Sequence, residues 1–352
     1  MSARQRTIPK ISDVARAAGV STATVSRALS RPETVAETTR KAVLDAAEAT
    51  GYRINVAARN LRRQRTGAVM VLVPNLGNPF FSEILAGIET TLSRAGLSVL
   101  VADTRQAAGV DPVLDWLHNT RADGIIALDG SLSTQKLDAV LQAGLAPPVV
   151  FACEWPGDDR FRSVRSANRR GAGLGIDHLV GLGHRRIGHV FGPVGNGLTD
   201  ARLEGMGAAL GAHGLALPDS WRFAGDFTLA SGAAAGRQWL ALDDRPTAVF
   251  CASDLMACGF IAELHGAGFT TPRDVSVVGF DDIDIAASFL PPLTTIRQDR
   301  HALGQTAAQV LLSQIETAGD EPPAERVTVI GVELIVRGST GVTHIRSVGR
   351  ET

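Results

Sequence analysis

Two groups of residues in this chain have types and spacing that suit recognition chemistry. The first is compact. In the stretch STATVSRALS, Thr22, Ala23, Ser26 and Arg27 fall on one side of a short helix while Val25 and Leu29 fall on the other. Ser21 and Thr24 belong to the same first turn. Hydroxyls and a guanidinium on the opening turns of a helix can meet base edges and phosphates. Small residues beside them let the helix enter a DNA major groove deeply. The second group is dispersed: Asn78, Phe80, Phe81, Cys153, Arg202, Phe227, Ser253, Asp254, Asp281 and Gln298. Most of them follow short β-rich runs or open helices. Rings that stack, a forked guanidinium and a carboxylate that accepts from neighbouring hydroxyls are the equipment for holding a small polar ligand. Competing structural roles stay open at three points. Asp254 caps a helix or touches ligand, Arg202 and Asp281 hold ligand or pair with each other across a cleft, and one of Phe80 and Phe81 belongs to the core.

No reactive constellation accompanies them. GAGLG (residues 171–175) opens a helix without a clear preceding strand or the acidic partner of a dinucleotide site. The chain has no Walker A sequence, no G-x-S-x-G and no H-E-x-x-H. His178, His184 and His189 lack metal-ligand spacing and read as surface or capping residues. The expectation is a binding protein rather than an enzyme, with no cofactor and no metal.

Composition sets the frame for these groups. The chain has 352 residues, 45% hydrophobic and 20% charged, enough for two or three domains with a core that needs no staple. Cys153, Cys251 and Cys258 form no C-x-x-C pair and lie in apolar runs, as in a reducing cytosol. MSARQRTIPK has no apolar segment of a secretion signal, and no run of 18 apolar residues offers a membrane span. A cytoplasmic location is expected. The net charge of −1 conceals an asymmetry. Residues 1–65 hold 13 Lys and Arg against 5 Asp and Glu, a net +8, and the other 287 residues carry −9. A basic head on an acidic body suits a polyanion-binding module on a soluble platform.

The elements that would position the first group form a helix-turn-helix. Ser12 is placed to cap a first helix through Ala18, Gly19 breaks it, and Ser21 caps the second. Ala18, Val20, Val25 and Leu29 can pack the two together, and Thr38–Thr50 supplies a third amphipathic helix ending at Gly51. Beyond residue 66 short β-rich runs alternate with helical stretches, and the pattern restarts near residue 168. Such alternation predicts two lobes of parallel sheet with helices on both faces, and ligands beyond the strand C-termini.

The segment ISDVARAAGVSTATVSRALSRPETVAETTRKAVLDAAEATGY resembles the DNA-binding head of the LacI family. The likeness continues through NVAARNLRRQRTGAVMVLVPNLGNPFFSEILAGIE to VELIVRGST. VSTATVSRAL, NPFFSEI, GDFT, TAVFCASDLMA, GFDDID and ELIVRGST bring it nearest the family's cytidine-repressor branch. The resemblance implies an all-α helix-turn-helix headpiece (1–54), a hinge (55–66) and an α/β periplasmic-binding-protein-like body (67–340) with three crossovers, then a tail (341–352). Lobe one would take 67–165 and 298–325, and lobe two 166–297 and 326–340. It implies a homodimeric regulator, most simply a repressor, on pseudo-palindromic double-stranded operator DNA. Leu61 would wedge into the minor groove, with Asn55 and Arg59 beside it. The dispersed group would bind a small effector, a nucleoside, pentose or other sugar. Two departures stand out: Ile54, where many relatives have Pro, and Cys153, where other branches carry Asp. The tail lacks leucine heptads, so a dimer is expected rather than a coiled-coil tetramer. The competing reading is a transport-type binding protein with no DNA function, which would need the missing export signal.

Overall fold

The computed structural model describes residues 9–52, 65–104, 122–132, 147–156, 161–316 and 325–343. The chain divides into two compact units, Met1–Arg65 and Thr66–Thr352.

The first unit is built from helices Ile11–Ala18, Thr22–Ser30 and Glu37–Thr50. Val14, Ala15, Val25, Ala28, Val43 and Ala46 form its core, with Ala18, Val20 and Leu29 packed against them. Gly19, at φ +66°, ends the first helix in the left-handed conformation that a Cβ disfavours. Ser21 caps the second helix, its Oγ accepting from the Thr24 N–H at 3.1 Å. The start of the first helix differs from the sequence reading. It begins at Ile11, and Lys10 rather than Ser12 is the capping position. Asp13 is the reason. Its Oδ2 accepts from the Lys10 N–H at 2.9 Å, and an acid three residues into a helix closes the cap while favouring the dipole.

The second unit holds two six-stranded sheets. In the first, β1 (Ala68–Val73), β2 (Ser98–Asp103), β3 (Gly124–Ala127), β4 (Val149–Ala152), β5 (Arg162–Ser166) and β11 (Val327–Ile330) lie in the order β11-β5-β4-β3-β1-β2. In the second, β6 (Ile187–Phe191), β7 (Arg222–Ala224), β8 (Ala248–Cys251), β9 (Ser276–Asp281), β10 (Thr294–Gln298) and β12 (Val332–Ile335) lie in the order β12-β10-β9-β8-β6-β7. The orders correspond strand for strand. All pairings are parallel except β10 with β12. Each sheet therefore reverses its winding beside its first strand, between β1 and β3 and between β6 and β8, where doubly wound sheets open a crevice for ligands.

Helices Phe80–Arg94 and Arg300–Glu316 cover the first sheet over a core that includes Val69, Val71, Ile84, Ile88, Leu303 and Leu311. Leu198 and Ile283 of the second lobe join that same cluster, so apolar packing spans the two lobes. The chain changes lobes at Ala167, at Asp299 and at Gly331. The third crossing falls later than the expected 325/326 boundary. VTVI still belongs to the first sheet, where Val327 pairs in register with Ser163. VTVIGVELI reads as one β-branched run, and only its central glycine marks where it is cut.

GAGLG has a packing role. A Cβ at Gly171 would sit 2.7 Å from the Phe280 ring, and one at Gly175 3.1 Å from Phe250. These glycines let helix Asn168–Gly181 lie directly on the second sheet. His184 and His189 are interior ties rather than surface or capping groups, and half-buried His178 is also tied by a hydrogen bond. His184 bonds to Thr247 Oγ1 at 2.9 Å, Ser276 Oγ at 3.0 Å and the Gly341 carbonyl at 3.0 Å. His178 reaches Thr340 Oγ1 at 2.9 Å, and buried His189 donates from Nδ1 to the Phe250 carbonyl at 2.8 Å. At the other end Thr66, expected in the hinge, is fastened to the body: its N–H and hydroxyl donate to Asp123 Oδ1 at 2.7 and 3.0 Å.

Candidate functional site

In the head, Thr22, Ala23 and Arg27 are exposed and Ser26 is half-buried, while Val25 and Ala28 of the same helix are buried. Ser21 and Thr24 are tied to each other, with hydroxyl oxygens 2.9 Å apart. The helix thus presents small and polar groups from its N-terminal turns, where the dipole also favours phosphate. Asn55, Arg59 and Leu61 lie outside the described residues.

In the body, the cleft between the lobes has an inner and an outer part. The inner part is a cavity of about 30 Å³ lined by Asn78, Phe80, Phe81, Glu154, Leu198, Arg202, Phe227, Ser253, Leu255 and Asp281. Arg202 dominates it. Its side chain is 1% exposed and stacks over the Phe280 ring at 3.7 Å. Nε donates to Asn168 Oδ1 at 2.9 Å and Nη1 donates to the Ala252 carbonyl. Nη2 has no hydrogen-bond partner and lies 3.9 Å from Asp281 Oδ1. Both residues belong to the second lobe, so the pair does not bridge the cleft. Asp281 accepts from Gln298 Nε2 at 2.7 Å, leaving the buried Gln298 Oε1 unpaired. Burial pushes the Asp281 carboxyl up to about 8, against the pull of Arg202 and with a further rise from Asp254.

The outer part is a cavity of about 230 Å³ lined on one side by Pro74, Asn75, Asn78, Phe81, Asp129, Gly130, Ser131 and Glu154. Pro193, Val194, Gly195, Asn196, Asp226, Phe227 and Thr228 line the other. Glu154 and Asn196 join the lobes here: Asn196 Nδ2 donates to Glu154 Oε2 at 2.9 Å, and the Gly130 N–H donates to the same oxygen at 3.2 Å. Trp155 packs beside this bond, its ring where a Cβ on Gly197 would come within 2.9 Å. The Asn196 side-chain oxygen, Oδ1, caps helix Gly197–Ala212, accepting from the Leu198 N–H at 2.9 Å.

Backbone strain collects around this cleft. Cys153, Phe227, Asp281 and Asp282 are the non-glycine residues with positive φ among the described residues, at 67°, 63°, 127° and 54°. Such conformations persist where surrounding contacts hold them, and they cluster at binding sites. Asp282 is held by Arg297 Nε and Arg337 Nη2, each at 2.7 Å.

Not every expected residue faces the cavities. Cys153 is buried in the first-lobe core and its strained backbone presents Glu154 instead. Burial raises its thiol well above the usual value. Asp254 neither caps its helix nor lines the cleft. Ser253 is the cap, and the Asp254 carboxylate is consumed by the Thr295 hydroxyl at 2.5 Å and the Ile283 N–H at 2.9 Å. Phe80 and Phe81 are both buried, edge to face at 5.1 Å, and both border the inner cavity. Gln298 borders a larger, open depression of about 640 Å³ on the crossover side. There Arg297 pairs with Asp282 and Glu333, and Arg300 with Asp284. Charges so matched leave less for a ligand than the cleft does. The sequence reading passed over Glu154, Asn168, Asn196 and Asp129. The acid closing VVFACE was the one visible signal.

A basic, exposed recognition helix joined in sequence to a two-lobed α/β body defines a DNA-binding transcriptional regulator. The comparisons with known proteins give the family. Residues 10–55 match the bacterial regulatory proteins of the lacI family, and residues 176–340 match a periplasmic binding protein-like domain. The HTH-type transcriptional repressor CytR of Escherichia coli (strain K12) is 37% identical over 339 residues, 96% of this chain and 98% of that protein. The HTH-type transcriptional repressor PurR of Photobacterium profundum is 34% identical over 331 residues, 94% of this chain and 98% of that one. Among solved structures, the lac repressor dimer bound to operator and the anti-inducer ONPF aligns with a TM-score of 0.82 at 30% identity, covering 95% of this chain and 100% of that chain. A CelR–cellobiose complex aligns at 0.71 and 31% identity, covering 94% of this chain and 99% of that one. The chain belongs to the LacI family. Among the described residues no helix is long and apolar enough to cross a membrane, and no group of His, Cys, Asp or Glu is arranged to hold a metal.

Proposed function

We propose that the protein is a homodimeric repressor without enzymatic activity, controlled by a small polyhydroxylated effector held between its lobes, most simply a nucleoside. Each head would read half of a pseudo-palindromic operator with helix Thr22–Ser30. Leu61 would wedge into the minor groove, with Asn55 and Arg59 at the backbone or groove floor. The observation that carries the effector reading is Arg202 Nη2, a buried donor without a partner that borders a cavity shared with Asp281 and Phe81. A buried unsatisfied donor is costly, and a ligand hydroxyl that accepts from Arg202 while donating to Asp281 relieves it. Phe81 and Phe227 can cover the face of a base or sugar.

Thermal-shift titration with nucleosides, pentoses, hexoses and polyols tests this reading. At least one should raise the unfolding midpoint of the wild type but not of Asp281→Asn. Absence of any shift, or an equal shift in the variant, rejects the cleft as effector site. Reciprocity gives a second check: operator DNA must change effector affinity by the same factor that effector changes operator affinity. Leu61→Ala should weaken operator binding far more than binding to unrelated DNA. Equal losses on both would remove the wedge.

A further inference from the structure

We propose that Glu154 determines which polar edge of the effector the outer cleft accepts: an N–H donor when its carboxyl group is ionised and a C=O acceptor when it is protonated. This rests on the reading of the cleft as the effector site and adds a specificity residue to it.

The geometry separates the two oxygens of the side chain. Oε2 is occupied by the Gly130 N–H at 3.2 Å and by Asn196 Nδ2 at 2.9 Å. Oε1 has no hydrogen-bond partner among the described residues, and Glu154 borders both the inner and the outer cavity. Two donors on Oε2 leave Oε1 as the atom that takes a proton. Protonation therefore changes the one atom left for the ligand: an acceptor when ionised, an O–H donor when neutral. The bond to Asn196 crosses from one lobe to the other, so Oε1 is fixed in place by both walls of the site.

Both forms are accessible near neutral pH. Burial pushes the Glu154 carboxyl up to about 7, and the Asp129 carboxylate raises it further, while the Gly130 N–H, the Asn196 amide and Arg202 hold it down. Facing charges come from every side: Asp129 beyond β3, Arg202 from helix Gly197–Ala212, and Asp281 from β9 near Arg202. The Cys153 thiol beside Glu154 stays neutral because burial raises it. Asp226, from the second lobe, lines the outer cavity as well.

Phe81 and Phe227 border the same cavity, so a planar heterocycle covered by either ring carries its edge substituents toward the walls. Cytidine and uridine serve as the probe pair, because they share a ribose and differ in presenting an exocyclic amine or a carbonyl. Calorimetric dissociation constants for both would be measured at about pH 6 and about pH 8, a range in which neither base ionises and Glu154 changes state. The preference for cytidine over uridine should rise by about tenfold from the lower pH to the higher, the usual order for one mismatched buried hydrogen bond. Asp281 titrates in the same range, but it acts on two ribosides alike and cancels in the ratio.

Glu154→Gln makes the test sharper. Its amide oxygen can accept from Gly130 and Asn196, which leaves an NH2 donor for the ligand. The variant should favour uridine at both pH values, with a ratio that does not move. A wild-type ratio independent of pH, or a variant that keeps the wild-type preference and its pH dependence, overturns the proposal while leaving the effector site intact. Failure of the wild type to bind either nucleoside at either pH removes the nucleoside reading, and this inference with it.

Discussion

The head and the cleft treat polar side chains in opposite ways. On helix Thr22–Ser30 the recognition groups stand in water: Thr22, Ala23 and Arg27 are exposed over a core of six buried residues. In the cleft, Arg202 and Asp281 are nearly inaccessible, and Arg202 is only partly satisfied. The difference follows from the ligands. A duplex is too large to enclose, so its reader must be convex, and binding gains from the release of counterions. A small effector gives little contact area, so its site must remove water and let a few strong hydrogen bonds discriminate. One surface should respond steeply to salt and the other to pH.

The largest effect that could break this division is the collapse of one unit alone. Val25 is fully buried in the head. Val25→Asp puts an unpaired carboxylate into that small core, which neither desolvates cheaply nor finds a partner. Operator affinity should fall by about a thousandfold or more, the gap between specific and nonspecific binding, as read by fluorescence anisotropy. Effector affinity should be unchanged. A parallel loss of effector binding would show that the two units do not act separately.

Next in size is Arg202→Met, which keeps bulk over Phe280 but strands Asn168 Oδ1 and the Ala252 carbonyl. Removing one partner of a buried charged network typically costs about 3–5 kcal/mol. The body should lose stability of that order in urea, and effector affinity should fall by about a hundredfold, as for a site deprived of its charged donor. DNA binding without effector, assayed in the cold where the body stays folded, should persist. An Arg202→Met protein that binds effector normally would place the ligand elsewhere.

How much of this could be read from the sequence differs between the two regions for the same physical reason. A convex site on one helix is local. Ser21, Thr22, Ala23, Ser26 and Arg27 belong to one helix and its cap, and a single period assigns their faces. The sheets were legible too, since the alternation of strands and helices runs on from β1 and restarts at helix Asn168–Gly181, where the apolar pattern restarts. The cleft is not local. Arg202 is positioned by Asn168, 34 residues away, and Glu154 by Asn196, 42 residues away. No period reports such pairings. Cys153 and Glu154 both sit at the end of β4, and it is Glu154, beside the positive φ of Cys153, that lines the cavities. Asp254 looked like a contact because it follows β8, yet Thr295 and Ile283 claim its carboxylate.

A smaller effect sharpens the contrast without touching either site. Gly304 lies where helix Arg300–Glu316 meets helix Phe80–Arg94, against the Ile84 carbonyl and with the Ile88 N–H 3.0 Å from the position of a Cβ. Backbone cannot move aside as a side chain can. Gly304→Ala should therefore cost about 1–3 kcal/mol, as overpacked cores do. Urea denaturation of the body should show the loss while the head's operator affinity at low denaturant stays the same.

The smallest effect is a drift of stability with pH that only the body should show. Glu154 and Asp281 ionise near 4 in an unfolded chain but are held up to about 7 and about 8 in the fold. Between those values the native state binds more protons than the unfolded one, so stability falls as pH rises through the window. His189 works in the opposite sense. Burial holds it down to about 4, below its ordinary value near 6.5, so it costs stability only as pH drops beneath that ordinary value. His184 is lowered by burial in the same direction. From about pH 6.5 to about pH 8 the two carboxylates therefore act with little opposition. The body's calorimetric midpoint should decline across that interval, and Glu154→Gln and Asp281→Asn should each flatten the decline. The head buries only Val14, Ala15, Val25, Ala28, Val43 and Ala46 among its described residues, none of them ionisable, and its transition should stay level. A body midpoint that rose with pH, or a decline untouched by both substitutions, would mean that these carboxylates are not held protonated by burial and that the cleft is wetter than the contrast with the head requires.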